Sequence, residues 1–365
     1  MKLNNIISYL EELAPPALQE SYDNSGLICG NPSMQITKAI ICLDAIEEVL
    51  DEAIEKGANL IIAHHPIVFA GLKTFTGKNY VERVIIKAIK NDIAIYAIHT
   101  NLDNVMQGVN AKIAELLDIQ QPKVLSPKSN TLSKLVYFTP EKEAENIKNM
   151  LFEAGAGNIG NYSEASFDSI GKGTFKGNEN SNPVVGEKMQ RESVNEIRTE
   201  LLIPRHLEAK IVLKLKEIHP YEEVAYDIYA IENKNQTIGA GMIGNLKEEM
   251  DALEFLKKLK KTFNCGCIKH TNLGNKKINK VALCGGSGSF LLKNALQQKA
   301  DIYITGDFKY HEFFDAENKI IIADIGHFES EQYTNELLFA KLTKNFPTFA
   351  FLLTEINTNP VKYYT

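Results

Sequence analysis

The chain has 365 residues, 44% of them hydrophobic and 24% charged, with 40 basic and 46 acidic side chains for a net charge of −6. That is enough chain for two or three globular units with large cores and no need of disulfide staples. The acidic balance gives no support to nucleic-acid binding, no segment approaches the ~18 uninterrupted apolar residues of a membrane span, and five scattered cysteines, an odd number, argue against a secreted disulfide scaffold.

The N-terminus carries apolar residues at 3, 6, 7, 10 and 13, the spacing of an amphipathic helix. It has neither the apolar core nor the cleavage site of a signal peptide, so a cytoplasmic location is expected. Ala39 to Leu43 reads as a buried strand, 45 to 56 as a helix closed by Gly57, and Leu60 to Ala63 as a second strand ending on His64-His65-Pro66. Strand, helix, buried strand is the pattern of a parallel βαβ unit. A helix through Val84, Ile85, Ile86 and Ile89 and a strand from Ile93 to Ile98, ending on His99, repeat it.

Between about 126 and 245 the pattern changes. Leu135 to Phe138 predicts a strand, and Pro140 predicts the first turn of a helix reaching about Ala154. Strand-like stretches follow at 162 to 168 and 171 to 175, and residues 176 to 196, rich in Gly, Asn and Ser, read as a loop. Thr199 to Ile203 predicts a strand, Pro204 to Lys216 a helix and Glu223 to Ala230 a strand. This βαβ-twice order is ferredoxin-like.

The C-terminal part returns to the first pattern. Val281 to Cys284 predicts a strand, Gly285 to Ser289 a tight turn, Phe290 to Gln298 a helix, and Asp301 to Ile304 and Lys319 to Ala323 two strands, the last leading to Gly326-His327. Cys42 and Cys284 are 242 residues apart, and at that offset Asn59 to His65 falls on Asp301 to Asp307 without a gap. His99 with Asp103 falls on His327 with Glu331 at an offset of 228. Two matches in one order point to internal duplication. The expected fold is α/β: related halves at 1–125 and 246–365 forming one core, with a ferredoxin-like α+β domain at 126–245 inserted between them.

Chemistry gathers at strand ends. Sites in open α/β sheets form at the carboxyl ends of strands, and adjacent histidines such as His64 and His65 can diverge to serve two metals. A His and a carboxylate four residues apart share one face of a helix, so His327 and Glu331 can grip one ion; the alternative, a helix-surface pair, is weakened because both such pairs follow buried strands at matching points of the two copies. Thr305-Gly306-Asp307 and His311, with Asp44, stand where they can make supporting or substrate contacts, or lie in surface loops. Gly285 to Ser289 lacks the lysine of a phosphate-binding loop and reads as a turn needing positive φ rather than an anion cradle. His219-Pro220-Tyr221 reads as a turn among exposed charges, and His206 and His270 as exposed residues. Oxygen and imidazole donors of this kind suit Zn, Fe or Mn.

Tyr22-Asp23-Asn24-Ser25-Gly26-Leu27, Ala63-His64-His65-Pro66, His99-Thr100-Asn101-Leu102-Asp103, Thr305-Gly306-Asp307 with His311, and Gly326-His327 through Glu331 together resemble the Nif-three-like family, the GTP cyclohydrolase 1 type 2 homologues. Tyr22 stands where the family usually has Trp, at a position that reads as structural. The resemblance covers both flanking parts. It implies a dinuclear centre between two α/β halves, held by His64, His65, Asp103, His327 and Glu331 with Glu331 bridging. His99, the counterpart of His327, would stand behind the ligands and support them. It further implies a toroidal homohexamer, a middle domain similar to the PII and CutA proteins, and a metal-dependent hydrolase of a small nucleotide-like or phosphoester substrate, with Asp307 and His311 as candidates for proton transfer. The alternative is a non-enzymatic metal-binding regulatory assembly.

Overall fold

The computed structural model describes residues 1–364, in two compact units: 1–127 with 237–364, and 128–236. The first unit holds two sheets. One has five strands in the order Gly26–Cys29, Ala94–Ala97, Leu60–His65, Lys38–Asp44, Ala350–Leu353; only Gly26–Cys29 runs antiparallel to its neighbour. The other has six, in the order Lys269–His270, Ile321–Asp324, Ile302–Gly306, Lys277–Ser287, Asn235–Asp251, Gln120–Lys128. Its three central-to-edge strands from Lys277, Ile302 and Ile321 are parallel, and Lys269–His270 is antiparallel to the last. Each sheet therefore contains the same motif, a parallel trio with an antiparallel edge.

Period-two alternation explains the layering. Ala39, Ile41, Leu60, Ile62, Ala94 and Tyr96 from the first sheet share one core with Val281, Leu283, Ile302, Ile304, Ile321 and Ala323 from the second. The helices Leu3–Leu13, Val109–Leu116, Ala252–Thr262 and Thr334–Asn345 contribute their apolar faces to that same core. The intervening residues face outward: Ile40, Cys42, Ile61 and Ala63 pack under Glu47–Glu55 and Tyr80–Lys90, while Ala282, Cys284, Tyr303 and Ile322 pack with Leu292–Gln297. Fully burying one such aliphatic side chain is worth roughly 1.5–3 kcal/mol, so the strand registers are strongly fixed.

Several boundaries differ from the expectations. The halves are not segregated at 1–125 and 246–365: Gln120–Lys128 belongs to the second sheet and Ala350–Leu353 to the first. Residues 237–245, read above as part of the middle segment, belong to the first unit, and Met242 to Asn245 pair with the strand from Lys277. The glycines at 285 and 286 do not turn the chain; the strand continues to Ser287 and a short 3-10 turn, Ser289–Leu291, precedes the helix.

The second unit orders its strands Ser166–Lys176, Arg191–Pro204, Leu132–Pro140, Tyr226–Ala230, all antiparallel, with helices Ala144–Glu153 and Glu208–Ile218. Its own core gathers Leu135, Tyr137, Ile147, Leu151, Leu201, Ile203, Ile211 and Leu215. Pro140 closes a strand rather than opening a helix, and the two strand-like stretches before 176 are one long strand. The loop expected to run to 196 ends at 190, because Arg191 onward pairs with Lys176 and the residues before it.

Candidate metal centre

The parallel strands of both sheets deliver their carboxyl ends to one cavity of about 690 Å³ in the first unit. Leu60–His65 ends on His64 and His65. Ala94–Ala97 leads to His99, which starts the one-turn helix Thr100–Asp103. Ile302–Gly306 delivers Asp307, and Ile321–Asp324 leads through Gly326 to the helix His327–Glu331.

Glu331 is the pivot. It is buried, and its Oε2 lies 3.0 Å from Nε2 of both His65 and His327, while its Oε1 lies 3.9 Å from His64 Nε2. His64 Nε2 is 3.7 Å from Asp103 Oδ1. Three sets of atoms fall within 4.8 Å of one another and can hold a metal ion: His64, His65 and His99; His65, His327 and Glu331; and His64, Asp103 and Glu331. The five residues expected as ligands are thus brought together. His99 stands in rank with them rather than behind them, its ring 5.3 Å from those of His64 and His65.

Each imidazole is oriented from behind. Nδ1 of His64 donates to the Ile98 carbonyl at 2.8 Å, and Nδ1 of His65 lies 2.8 Å from Asp44 Oδ1. Nδ1 of His99 meets Asp23 at 2.8 Å and Nδ1 of His327 meets Asp307 at 2.6 Å. An acceptor on Nδ1 fixes the tautomer whose Nε2 presents a lone pair, the arrangement that metal-ligating histidines use. Asp44 is itself held by the Thr358 hydroxyl at 2.6 Å, and Asp23 by the backbone NH and hydroxyl of Thr100.

The electrostatics call for cations. Burial pushes the His64 pKa down, whereas at His65 the Asp44 and Glu331 carboxylates outweigh burial and hold it at about 10. At His327 burial is likewise outweighed, by Glu331 and Asp307, and the pKa stands at about 11. Burial, joined by the charge of Glu331, drives Asp103 well above the usual carboxylate range; Glu331, despite its burial, is held well below it by His327 and the other imidazoles. Protons on His65 and His327 thus supply positive charge that ions can replace.

The residues present fit divalent ions. His64 Nε2 and Asp103 Oδ1 are both buried with no hydrogen-bond partner, and both aim at the same space. Leaving two such polar atoms unpaired costs about 1–3 kcal/mol each, a cost that coordination removes.

Glycine makes this centre possible, a role that sequence patterning missed. Gly286, at φ +63°, lies under Glu331; a Cβ there would come within 2.2 Å of its Oε1. At Gly306 a Cβ would stand 2.8 Å from the backbone nitrogen of His327. The glycines let the His327–Glu331 helix lie directly on the sheet. The signal was the cluster of glycines at strand ends, which a turn reading absorbed.

His311 is not brought to the cluster. It lies exposed in the 3-10 segment Tyr310–Ala316 beside the rings of Tyr310 and Phe314, outside the cavity. Its expected proton-transfer role lacks a geometric basis, because the turn after Asp307 carries it away. Asp307 does line the cavity, bound to His327. Tyr22, read as structural, is an exposed residue at the cavity instead. In the second unit His219 is buried rather than exposed, with Nε2 on the Phe138 carbonyl and Nδ1 accepting from Tyr221 NH. His206 is half-buried, while His270 is exposed as expected. No helix among the described residues is long and apolar enough to cross a membrane.

The family described as Duf34/NIF3 (NGG1p interacting factor 3) matches residues 1–360 of this chain. A Halalkalibacterium halodurans protein named GTP cyclohydrolase 1 type 2 homolog is 40% identical over 332 residues, 90% of this chain and 89% of that protein. A Bacillus subtilis protein of the same name is 37% identical over 365 aligned positions, covering 98% and 97%. A crystal structure of a Bacillus cereus protein related to NIF3 matches with a TM-score of 0.86 at 38% identity, covering 100% of this chain and 99% of the other.

Proposed function

Because this chain belongs to the Duf34/NIF3 family, we propose that it is a dinuclear metal-dependent hydrolase acting on a small nucleotide-like or phosphoester substrate. The observation that supports this most is the unpartnered pair His64 Nε2 and Asp103 Oδ1, aimed into a space that Glu331 and the Nε2 atoms of His65 and His327 also face. On this reading His64 and Asp103 would hold one ion and His65 and His327 the other, with Glu331 shared between them. Zinc fits the donor set best, with iron and manganese as alternatives. Divalent ions held there supply Lewis acidity and acidify a water to a pKa of about 7. The protein's own part is to hold the imidazoles in the lone-pair-inward tautomer through Asp44, Asp23, Asp307 and the Ile98 carbonyl, and to keep Glu331 ionised between them. The assembly is proposed as a homohexamer and the location as cytoplasmic; the first rests on the family resemblance, the second on five thiols suited to a reducing compartment.

Turnover separates this from a regulatory role. Protein loaded with zinc, iron or manganese is assayed on GTP and a panel of phosphoesters beside Glu331→Gln. Hydrolysis that Glu331→Gln loses out of proportion to its metal supports the enzyme. A second reading, a metal-dependent regulatory assembly, draws on one observation: the 128–236 unit has its own cavity of about 550 Å³, lined among others by Phe138, Phe175, Tyr221 and Glu196. Fully loaded protein that turns over nothing favours that reading.

A further inference from the structure

The rim of the metal-centre cavity and its charge narrow the substrate class, on the hydrolase reading above. Tyr22 and Phe69 both line the cavity yet are 64% and 51% exposed. Their rings stack, with centroids 6.5 Å apart and planes inclined by 17°. Phe69 meets the His99 ring edge-on at 5.7 Å, and His99 in turn meets His64 and His65. A continuous aromatic surface thus runs from the rim to the candidate ligands. It is held in place: Asn24 Nδ2 donates to the Val68 carbonyl at 2.7 Å, tying the segment that carries Tyr22 to the one that carries Phe69. Large rings fixed in solvent beside a polar site are suited to receive a flat ligand face.

Charge restricts what that ligand carries. Seven carboxylates line the cavity against one lysine and no arginine. The lysine, Lys269, is already paired with the buried carboxylate of Asp324 at 2.5 Å. Two divalent ions would still leave two negative charges in excess. Sites that hold a nucleoside triphosphate commonly surround its phosphates with lysine or arginine in addition to metal, and the one lysine of this wall is already paired with a carboxylate. The wall's carboxylates instead suit ring N–H and amino donors.

We propose that the substrate of this centre is a planar nitrogen heterocycle, free or as a nucleoside, which stacks on the Tyr22–Phe69 surface and carries no polyphosphate. Calorimetric titration of the full-length protein with guanosine, adenosine and GTP tests it, in metal-free and zinc-loaded form, with metal content and sedimentation recorded on the same samples. A nucleoside is expected to bind at least as tightly as GTP. Replacing both rings, Tyr22→Ala with Phe69→Ala, is expected to weaken that binding tenfold or more with metal content and oligomeric state unchanged, and Tyr22→Phe to retain it. GTP binding more than tenfold tighter than guanosine, or no binding of either nucleoside, overturns the proposal. So does a change of oligomeric state in the double variant, which would mark the rings as a subunit contact. Wild-type protein that retains no metal would defeat the hydrolase reading, while stacking on the metal-free protein would still be measured, so the two fail separately.

Discussion

The strands Leu60–His65 and Ile302–Gly306 occupy equivalent places in their sheets, 242 residues apart, yet end differently. The first ends on His64 and His65, whose side chains reach the centre themselves. The second ends on Gly306 and Asp307: the glycine lets the His327 backbone close in, and the aspartate braces the His327 ring. In the first half the strand end provides imidazoles; in the second it gives up side-chain volume so that the next helix can. The repeated scaffold fixes where donors can stand, and small differences at its strand ends decide which element supplies them.

The largest effect that would break this comparison is expected at Gly286→Ala. The residue needs φ +63° and sits where a Cβ would meet Glu331 at 2.2 Å. Overpacking of this kind costs about 1–3 kcal/mol, and displacement of Glu331, which faces three imidazoles at once, should lower zinc affinity by about a hundredfold or more in an equilibrium chelator competition. Unchanged affinity would show that the glycine is not what seats the helix.

Exchanging the braces on the two sides sharpens it next. Asp44→Asn and Asp307→Asn each weaken the acceptor on a histidine Nδ1, a change that typically costs 10–100-fold in metal affinity. Asp44 is the better shielded, 31% exposed against 52% for Asp307, and has Thr358 behind it. The larger loss is therefore expected at Asp44, by the same competition; equal losses would mean the two sides are braced alike.

These braces also mark the limit of what the sequence displays. The ligand candidates were legible because His64-His65 follows an apolar run and because His99 and His327 are each spaced by four from a carboxylate, local patterns that helix and strand geometry read directly. Asp23 with His99 and Thr358 with Asp44 join residues 76 and 314 apart, and no local period encodes such pairs. The two exchanged strands were hidden for the same reason: Ala350–Leu353 is as apolar as any edge strand, and only packing decides which sheet it joins. In the second unit the element order was legible from alternation, whereas Pro140 misled because a proline suits a strand end as well as a helix start.

A smaller effect concerns the loop that follows only the first strand end. Glu82 collects this loop, accepting from Thr76 NH and hydroxyl, both at 2.9 Å, from Lys78 NH at 3.3 Å and from Asn79 Nδ2 at 3.1 Å. The Thr76 backbone bond, with the others, outweighs desolvation and lowers its pKa from 4.5 to about 2. A depressed folded-state pKa stabilises fully above the unfolded value and is lost as pH falls through the folded one. The stability gap between wild type and Glu82→Gln, from urea midpoints, should therefore be constant above about pH 4.5 and close as pH falls towards about 2. A gap that persists at pH 2 would contradict the assignment.

The smallest expected effect is none. Residues 127 and 237 are near neighbours, since the strands Gln120–Lys128 and Asn235–Asp251 adjoin and a Cβ at Gly239 would lie 2.9 Å from Pro127 Cα. Deleting 128–236 and joining the ends by a short flexible linker should leave circular dichroism of the α/β core and its metal content unchanged. An aggregated product would show that the first unit depends on the second.

The proposed ligand set implies two ions held around Glu331 by the strand ends of both halves. Elemental analysis of protein purified without added chelator measures this directly, beside His65→Ala and Glu331→Ala with their folds verified by circular dichroism. Two divalent ions per chain are expected in the wild type and sharply fewer in both folded variants; metal content unchanged in both would rule out this ligand set.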